Sequence, residues 1–103
     1  MQAVLDVVAE PRRRQIMALL LDGERLVGDL ADELGVSQPT VSKHLRIMRA
    51  AGLVSSRVDA QRRWYHLEAR PLAELDSWLE PYRRAWAQRL DDLARHLDTM
   101  EDE

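Results

Sequence analysis

The chain has 103 residues, of which 46% are hydrophobic and 32% are charged, so one globular domain is expected and a disordered chain is excluded. It contains no cysteine, which excludes disulfides, thiolate metal sites and thiol redox chemistry. No apolar run approaches the ~18 residues of a membrane span and no signal pattern precedes residue 10, so we expect a cytoplasmic protein with no membrane partner.

Hydrophobic periodicity predicts three helices in the first third of the chain. Residues 2–9 have the composition of a short, mostly apolar helix. Residues 11–21 form a core helix whose first turn tolerates Pro11. In residues 26–34, apolar side chains again follow the 3.6-residue period, and Gly35 ends that helix.

Residues 26–51 carry the pattern of a helix-turn-helix. The small Ala31 allows two helices to cross closely, Gly35 supplies the turn between them, and Val41 anchors the second helix on the first. Ser37 is a good N-cap for this second helix. The outward face of the helix is polar and basic, which suits entry into a DNA major groove. Its residues are Gln38, Pro39, Ser42, Lys43, Arg46 and Arg49.

From residue 53 the period changes from helical to extended. The segments LVSSRV and RRWYHL, within residues 53–67, are rich in β-branched or aromatic residues and predict two strands joined by residues 59–61. A two-stranded hairpin is marginal alone, so it must pack against the helices. Basic side chains cluster around its turn, where they could reach a minor groove or phosphates. These are Arg57, Arg62 and Arg63.

The last predicted helix, residues 71–98, carries more apolar surface than a small domain can bury. Leucine and aromatic residues recur in steps of three and four, and Pro81 should kink or split the helix. Exposed patches that include Trp are typical of interfaces. We therefore expect a homodimer, paired through this helix and residues 1–10. The predicted interface residues are Leu5, Val8, Tyr82, Trp86, Leu90 and Leu93.

The net charge of −3 is unevenly distributed. Residues 1–35 carry 4 Arg and 7 acidic residues, for −3, and residues 67–103 carry 5 Arg and 10 acidic residues, for −5. Residues 36–66 carry 6 basic residues against Asp59 alone, for +5. This basic segment coincides with the second helix of the helix-turn-helix and the hairpin, and it favours nucleic acid as the partner.

The segments EPRRRQIMALL, LADELGVSQPTVSKHLRIMRAAGLV and RRWYHL together resemble the ArsR family of bacterial winged-helix repressors, over residues 3–67. The resemblance implies a mostly α fold with a small β-hairpin, a winged helix-turn-helix with N- and C-terminal dimerisation helices, as one domain over residues 1–103. It also implies a homodimer that binds an inverted-repeat operator in double-stranded DNA and represses transcription. By position, the DNA-binding residues are Ser37, Gln38, Thr40, Ser42, Lys43, His44 and Arg46, with Arg62 and Arg63 in the wing.

Metals are the usual effectors of that family, and here the sequence departs from it. Residues 26–29 hold none of the cysteines of the thiolate site, and the last helix offers only His96 with Asp92 one turn before it. We predict no metal, no cofactor and no identifiable inducer. Two alternatives stay open, an effector-responsive sensor-repressor and a winged-helix module for protein contacts. An enzyme is excluded because no nucleophile–base pair, phosphate loop or acid–base pair is present.

Overall fold

The computed structural model describes the backbone of residues 1–101 and the side chains of residues 1–100. Helices account for most of this part, and three short strands form one sheet, which confirms the predicted mostly α fold. The elements in chain order are α1 Gln2–Ala9, α2 Pro11–Leu20, β1 Arg25–Leu26, α3 Val27–Leu34, α4 Gln38–Ala50, β2 Val54–Asp59, β3 Arg62–Leu67 and α5 Ala69–Glu101.

The first four helices enclose the hydrophobic core, and α3 and α4 form the predicted helix-turn-helix. Ala31 and Val41 are buried where the two helices meet. Gly35 ends α3 with φ 69°, a left-handed conformation that a residue with a Cβ atom adopts at a cost. Leu21, the last residue of the predicted second helix, lies beyond α2 and is 75% exposed, so it does not belong to the core.

The sheet has three strands in the order β1–β3–β2, whereas the sequence predicted a two-stranded hairpin. Arg25 pairs with Tyr65 and Leu26 with Trp64, so Leu26 is a strand residue and not the start of a helix. Two residues are too few to show a strand period, and only pairing with β3 makes this segment extended. The added strand attaches the hairpin to the helical part of the domain.

The hairpin turn is shorter than predicted. Asp59 pairs with Arg62, so Ala60 and Gln61 alone connect β2 and β3. Both residues have positive φ, 49° and 69°, as in the type I′ turn that suits the twist of a two-residue hairpin.

The prediction for Pro81 was a kink or a split, and α5 continues through this residue, so the helix is not split. Proline removes one hydrogen bond from the helix, and the surrounding turns are bridged by Arg83. Its guanidinium donates to the Asp76 carbonyl oxygen at 3.0 Å and pairs with the Glu80 carboxylate at 2.8 Å. At about 1.5 Å per residue, the 33 residues of α5 span about 50 Å. Within the described residues, no helix is long and apolar enough to cross a membrane.

Candidate nucleic-acid interface

A hydroxyl cap fixes the start of α4. Ser37 has an extended backbone, and its Oγ accepts a hydrogen bond from the Thr40 N–H at 3.3 Å. The hydroxyl oxygens of Ser37 and Thr40 lie 2.8 Å apart. Both residues are exposed. The cap therefore sets the direction of α4 and places two hydroxyl groups on the surface where the helix begins.

Replacing Ser37 with alanine should lower the free energy of unfolding by about 1 kcal/mol, because the Thr40 N–H loses its acceptor. Chemical denaturation measures this difference. Ser37→Asp is the matched variant, since it keeps an acceptor at the cap and stability near that of the native chain, while its negative charge should weaken binding to a polyanion. An unchanged stability of Ser37→Ala would contradict the capping role.

The two faces of α4 differ in burial and charge, as the sequence predicted. Val41, Leu45 and Met48 are at most 1% exposed and anchor the helix in the core. The basic residues lie on the exposed part of the helix. No described carboxylate lies within 4.0 Å of their charged groups, so their charge is available to a partner. These residues are Lys43, Arg46 and Arg49.

His44, like Ser42, is half-buried, whereas the other predicted recognition residues are exposed. The Nδ1 atom of His44 is enclosed with no hydrogen-bond partner among the described residues. Burial lowers the pKa of His44 from its usual value, and the nearby positive charge of Arg13 on α2 lowers it further. The imidazole is therefore neutral at pH 7, and its Nδ1 atom is shielded from solvent.

The half-buried His44 should make stability fall in mild acid. Its pKa is lower in the folded chain than the ~6.5 of an unfolded one, so the unfolded chain takes up the proton first. The free energy of unfolding is then highest above about pH 6.5 and falls as the pH drops below that value. Denaturation at pH 7.5 and 5.5 should show a smaller fall in His44→Gln than in the native chain. The exposed His96→Gln is the control, and an identical fall in all three proteins would contradict the assignment.

The register of the hairpin separates Arg62 from Arg63, which the sequence grouped together. Residues directly opposite each other in an antiparallel pair share a face of the sheet, and successive residues alternate. Val54 and Tyr65 pack toward the core, and this fixes which face meets the helices. Arg63 shares that inner face with Val58, its partner in register. Arg62 lies on the outer face, opposite Asp59.

Arg57 is held within the domain. Its guanidinium pairs with the Glu24 carboxylate, with Nη2 and Oε2 2.7 Å apart, and lies over the Trp64 ring at 5.9 Å. The Arg57 hydrogen bond lowers the pKa of Glu24 below its usual range. Arg57 therefore connects the wing to the segment before β1, and its charge is matched internally, unlike those of the exposed basic residues of α4.

A second polar cluster lies at the base of the wing. Ser55 and His66 are opposite each other in register, and Ser55 Oγ lies 2.6 Å from His66 Nε2. The same hydroxyl donates to the Glu68 carboxylate and lowers its pKa. Among the described side chains, no three His, Asp or Glu groups are arranged to hold a metal ion, and metal independence stays a prediction.

A cleft of about 200 Å³ separates α4 from the wing. Its lining residues come from two elements that were predicted separately from the sequence, the recognition helix α4 and the inner face of β3. Arg49 and Tyr65 line it although neither was among the predicted site residues. The helical period predicted that Arg49 lies on the outward face of α4, but the sequence could not predict that it lies near the wing. The lining residues are Ser42, Leu45, Arg46, Arg49, Arg63 and Tyr65.

The distal part of α5 has an exposed apolar stripe. Leu72 and Leu75 pack against the core of their own domain, but the apolar residues beyond them do not. Tyr82, Trp86, Leu90 and Leu93 are each between 52% and 61% exposed. Leu5 and Val8 on α1 are half-buried. All six predicted interface residues thus retain accessible surface.

Comparison with known proteins identifies the family. Residues 10–56 match the model of the bacterial regulatory protein, arsR family. The chain is 38% identical over 96 residues to the transcriptional regulator Rv2034 of Mycobacterium tuberculosis, covering 93% of this chain and 87% of the relative. The chain belongs to the ArsR family.

Two further relatives differ in the direction of regulation that their names give. The transcriptional activator HlyU of Vibrio cholerae is 38% identical, over 82% of this chain and 76% of the relative. The transcriptional repressor SdpR of Bacillus subtilis is 32% identical, over 77% of this chain and 88% of the relative. This ArsR-family chain is therefore a transcriptional regulator and not an enzyme, as predicted.

A solved structure confirms the fold of this ArsR-family chain. The homodimeric winged helix-turn-helix DNA-binding domain of Mb0332 from Mycobacterium bovis, a possible ArsR-family regulator, superposes with a TM-score of 0.67 at 28% identity. The superposition covers 85% of this chain and 82% of the other. The α3–α4 pair is thus the helix-turn-helix of a winged-helix domain, and β2 and β3 form its wing.

Proposed function

We propose that this chain is a cytoplasmic, homodimeric repressor that binds an inverted-repeat operator in double-stranded DNA, including one upstream of its own gene. The observation that carries the proposal is the exposed surface of α4, where Lys43, Arg46 and Arg49 have no described carboxylate partner. Positive charge that the fold leaves unmatched on a helix of this kind is suited to the phosphates and base edges of a duplex.

The side chains of α4 divide into base-reading and phosphate-binding groups. Gln38 suits a bidentate contact with adenine, and Lys43 and Arg46 suit guanine. Ser37, Thr40 and Ser42 offer hydroxyl groups to phosphates or base edges. In the wing, the outer-face Arg62 reaches the adjacent minor groove or its phosphates. His44, whose Nδ1 atom is enclosed, is less suited to a base contact than these exposed side chains.

Dimer formation is supported by the exposed stripe on α5 and by the homodimeric state of the similar M. bovis domain. Pairing of the stripe with a second copy, together with Leu5 and Val8 of α1, buries apolar surface that one chain leaves in water. A two-fold axis then places the two α4 helices about one helical turn of DNA apart, or a multiple of it, so an inverted repeat is expected.

A transcription assay tests whether the protein represses or activates transcription. Genomic fragments bound by the purified protein should share an inverted repeat and include its own upstream region. Adding the protein to transcription from such a fragment should reduce the transcript. A rise in transcript would make the protein an activator, like the named relative from V. cholerae. The absence of DNA binding would favour the alternative of a protein-contact module.

A further inference from the structure

We infer that the cleft between α4 and the wing is a binding site for a single DNA backbone phosphate, which Arg49 of α4 and Arg63 of β3 bind together. The inference rests on the proposed DNA-binding function and assigns one chemical task within it. It makes Arg49 a binding residue and gives Arg63 a different role from its neighbour Arg62.

The cleft has the charge that an anion requires. Three arginines line it, Arg46, Arg49 and Arg63, together with Ser42. None of their guanidinium groups lies within 4.0 Å of a carboxylate in the described part of the chain. Three like charges around one cleft repel each other, and an anion bound there relieves that repulsion. Arginine also matches the oxygens of a phosphate with paired N–H donors.

The size of the cleft favours a phosphate over a small-molecule effector. Its volume of about 200 Å³ lies below the ~300–1,000 Å³ typical of drug-sized ligand pockets. It lies between the recognition helix and the wing, the two elements that flank a DNA backbone when the helix occupies the major groove. A backbone phosphate is therefore the anion that docking itself would bring there.

Strand register explains why only one wing arginine takes part. Arg63 lies on the inner face of β3 with Tyr65, which packs toward the core, and both line the cleft. Arg62 lies on the outer face opposite Asp59 and does not line it. The two arginines have the same charge and are neighbours in sequence, so they lie almost equally far from the hairpin turn. Arg62 is therefore a matched control for Arg63.

The test measures how protein variants bind DNA in which one backbone phosphate has been replaced by an uncharged group. A bound duplex fragment is synthesised with one uncharged methylphosphonate at each backbone position in turn, and affinity is measured by fluorescence anisotropy. One position per half-site should weaken binding of the native protein about tenfold, the effect of losing a charge-assisted hydrogen bond. At that position, the neutralised phosphate should weaken binding of Arg49→Ala and of Arg63→Ala by only about threefold, because each variant has already lost one of the two arginine contacts. Arg62→Ala should keep the full tenfold sensitivity.

The outcomes distinguish this inference from the function on which it rests. The inference of a shared phosphate site would be wrong if Arg49 and Arg63 were coupled to different phosphates, or to none, while the protein still bound the inverted repeat. The repressor proposal would then stand. Equal coupling of Arg62 and Arg63 to the same phosphate would also overturn the shared site. Failure to bind any duplex would overturn both.

Discussion

A Leu90→Glu variant is expected to be monomeric and to bind the inverted repeat more than about a hundredfold more weakly than the native protein. Leu90 is 59% exposed on the α5 stripe, and a carboxylate there would be taken out of water by pairing of two copies. Loss of the dimer removes the gain from simultaneous binding at two half-sites, which amounts to about 10²–10⁴ in affinity. Sedimentation equilibrium measures the oligomeric state, and fluorescence anisotropy measures the affinity.

Leu21→Glu is the control for that experiment. Leu21 is also an exposed leucine, 75% exposed, but it lies at the end of α2 and outside the α5 stripe. It should leave the dimer and its operator affinity intact. A Leu90→Glu protein that stays dimeric would contradict the assignment of the interface to α5.

A Lys43→Ala variant should fold and dimerise normally but lose affinity for the operator and discriminate less between bases. Lys43 is exposed on α4 and contributes nothing to the core, so stability should be unchanged. A side chain that reads a base contributes about 1–3 kcal/mol. Two copies per dimer therefore predict a loss of about 2–6 kcal/mol, measured by anisotropy with the operator and with a scrambled duplex of the same composition.

Arg70→Ala is the control for charge alone. Its side chain is 90% exposed at the start of α5, so the variant removes one positive charge per chain outside α4 and the wing. A small, sequence-independent effect is expected. If Arg70→Ala and Lys43→Ala weakened binding equally on both duplexes, α4 would not be the element that reads sequence.

The helix-turn-helix could be predicted from sequence because each of its requirements is local. Ser37 caps the N-terminus of α4, and Gly35 forms the turn after α3. Val41, Leu45 and Met48 recur at helical spacing and are buried. All of these positions behave as predicted. The face of a helix follows from its period, so the exposed basic side of α4 was accessible from the sequence alone. Partial burial within the folded domain is not local, and this is why the enclosed Nδ1 atom of His44 could not be predicted.

The features that sequence reasoning missed depend on contacts between distant segments. Strand β1 exists because Arg25 and Leu26 pair with residues about forty positions later. The cleft exists because Arg49 on α4 and Arg63 on β3 line one space, although they are fourteen positions apart in the chain and strand β2 lies between them. The basic segment also contained Arg57, whose charge is matched by Glu24 from an acidic part of the chain. A count of charge along the sequence therefore overstated the positive surface by this residue.

The salt dependence of operator binding measures whether the unmatched positive charge of α4 and the wing binds the DNA backbone. Anisotropy titrations at increasing salt, with the operator and with a scrambled duplex, give the slope of log K against log salt concentration. Each neutralised phosphate contributes about −0.9. One phosphate bound by Arg49 with Arg63 and one bound by Arg62, in each chain of a dimer, predict a slope of about −4. Tighter binding of the operator at every salt concentration, with a steep slope of this size, is the expected result. A flat slope would show that this positive charge does not bind the DNA backbone, and equal affinity for both duplexes would show that the protein does not recognise the operator.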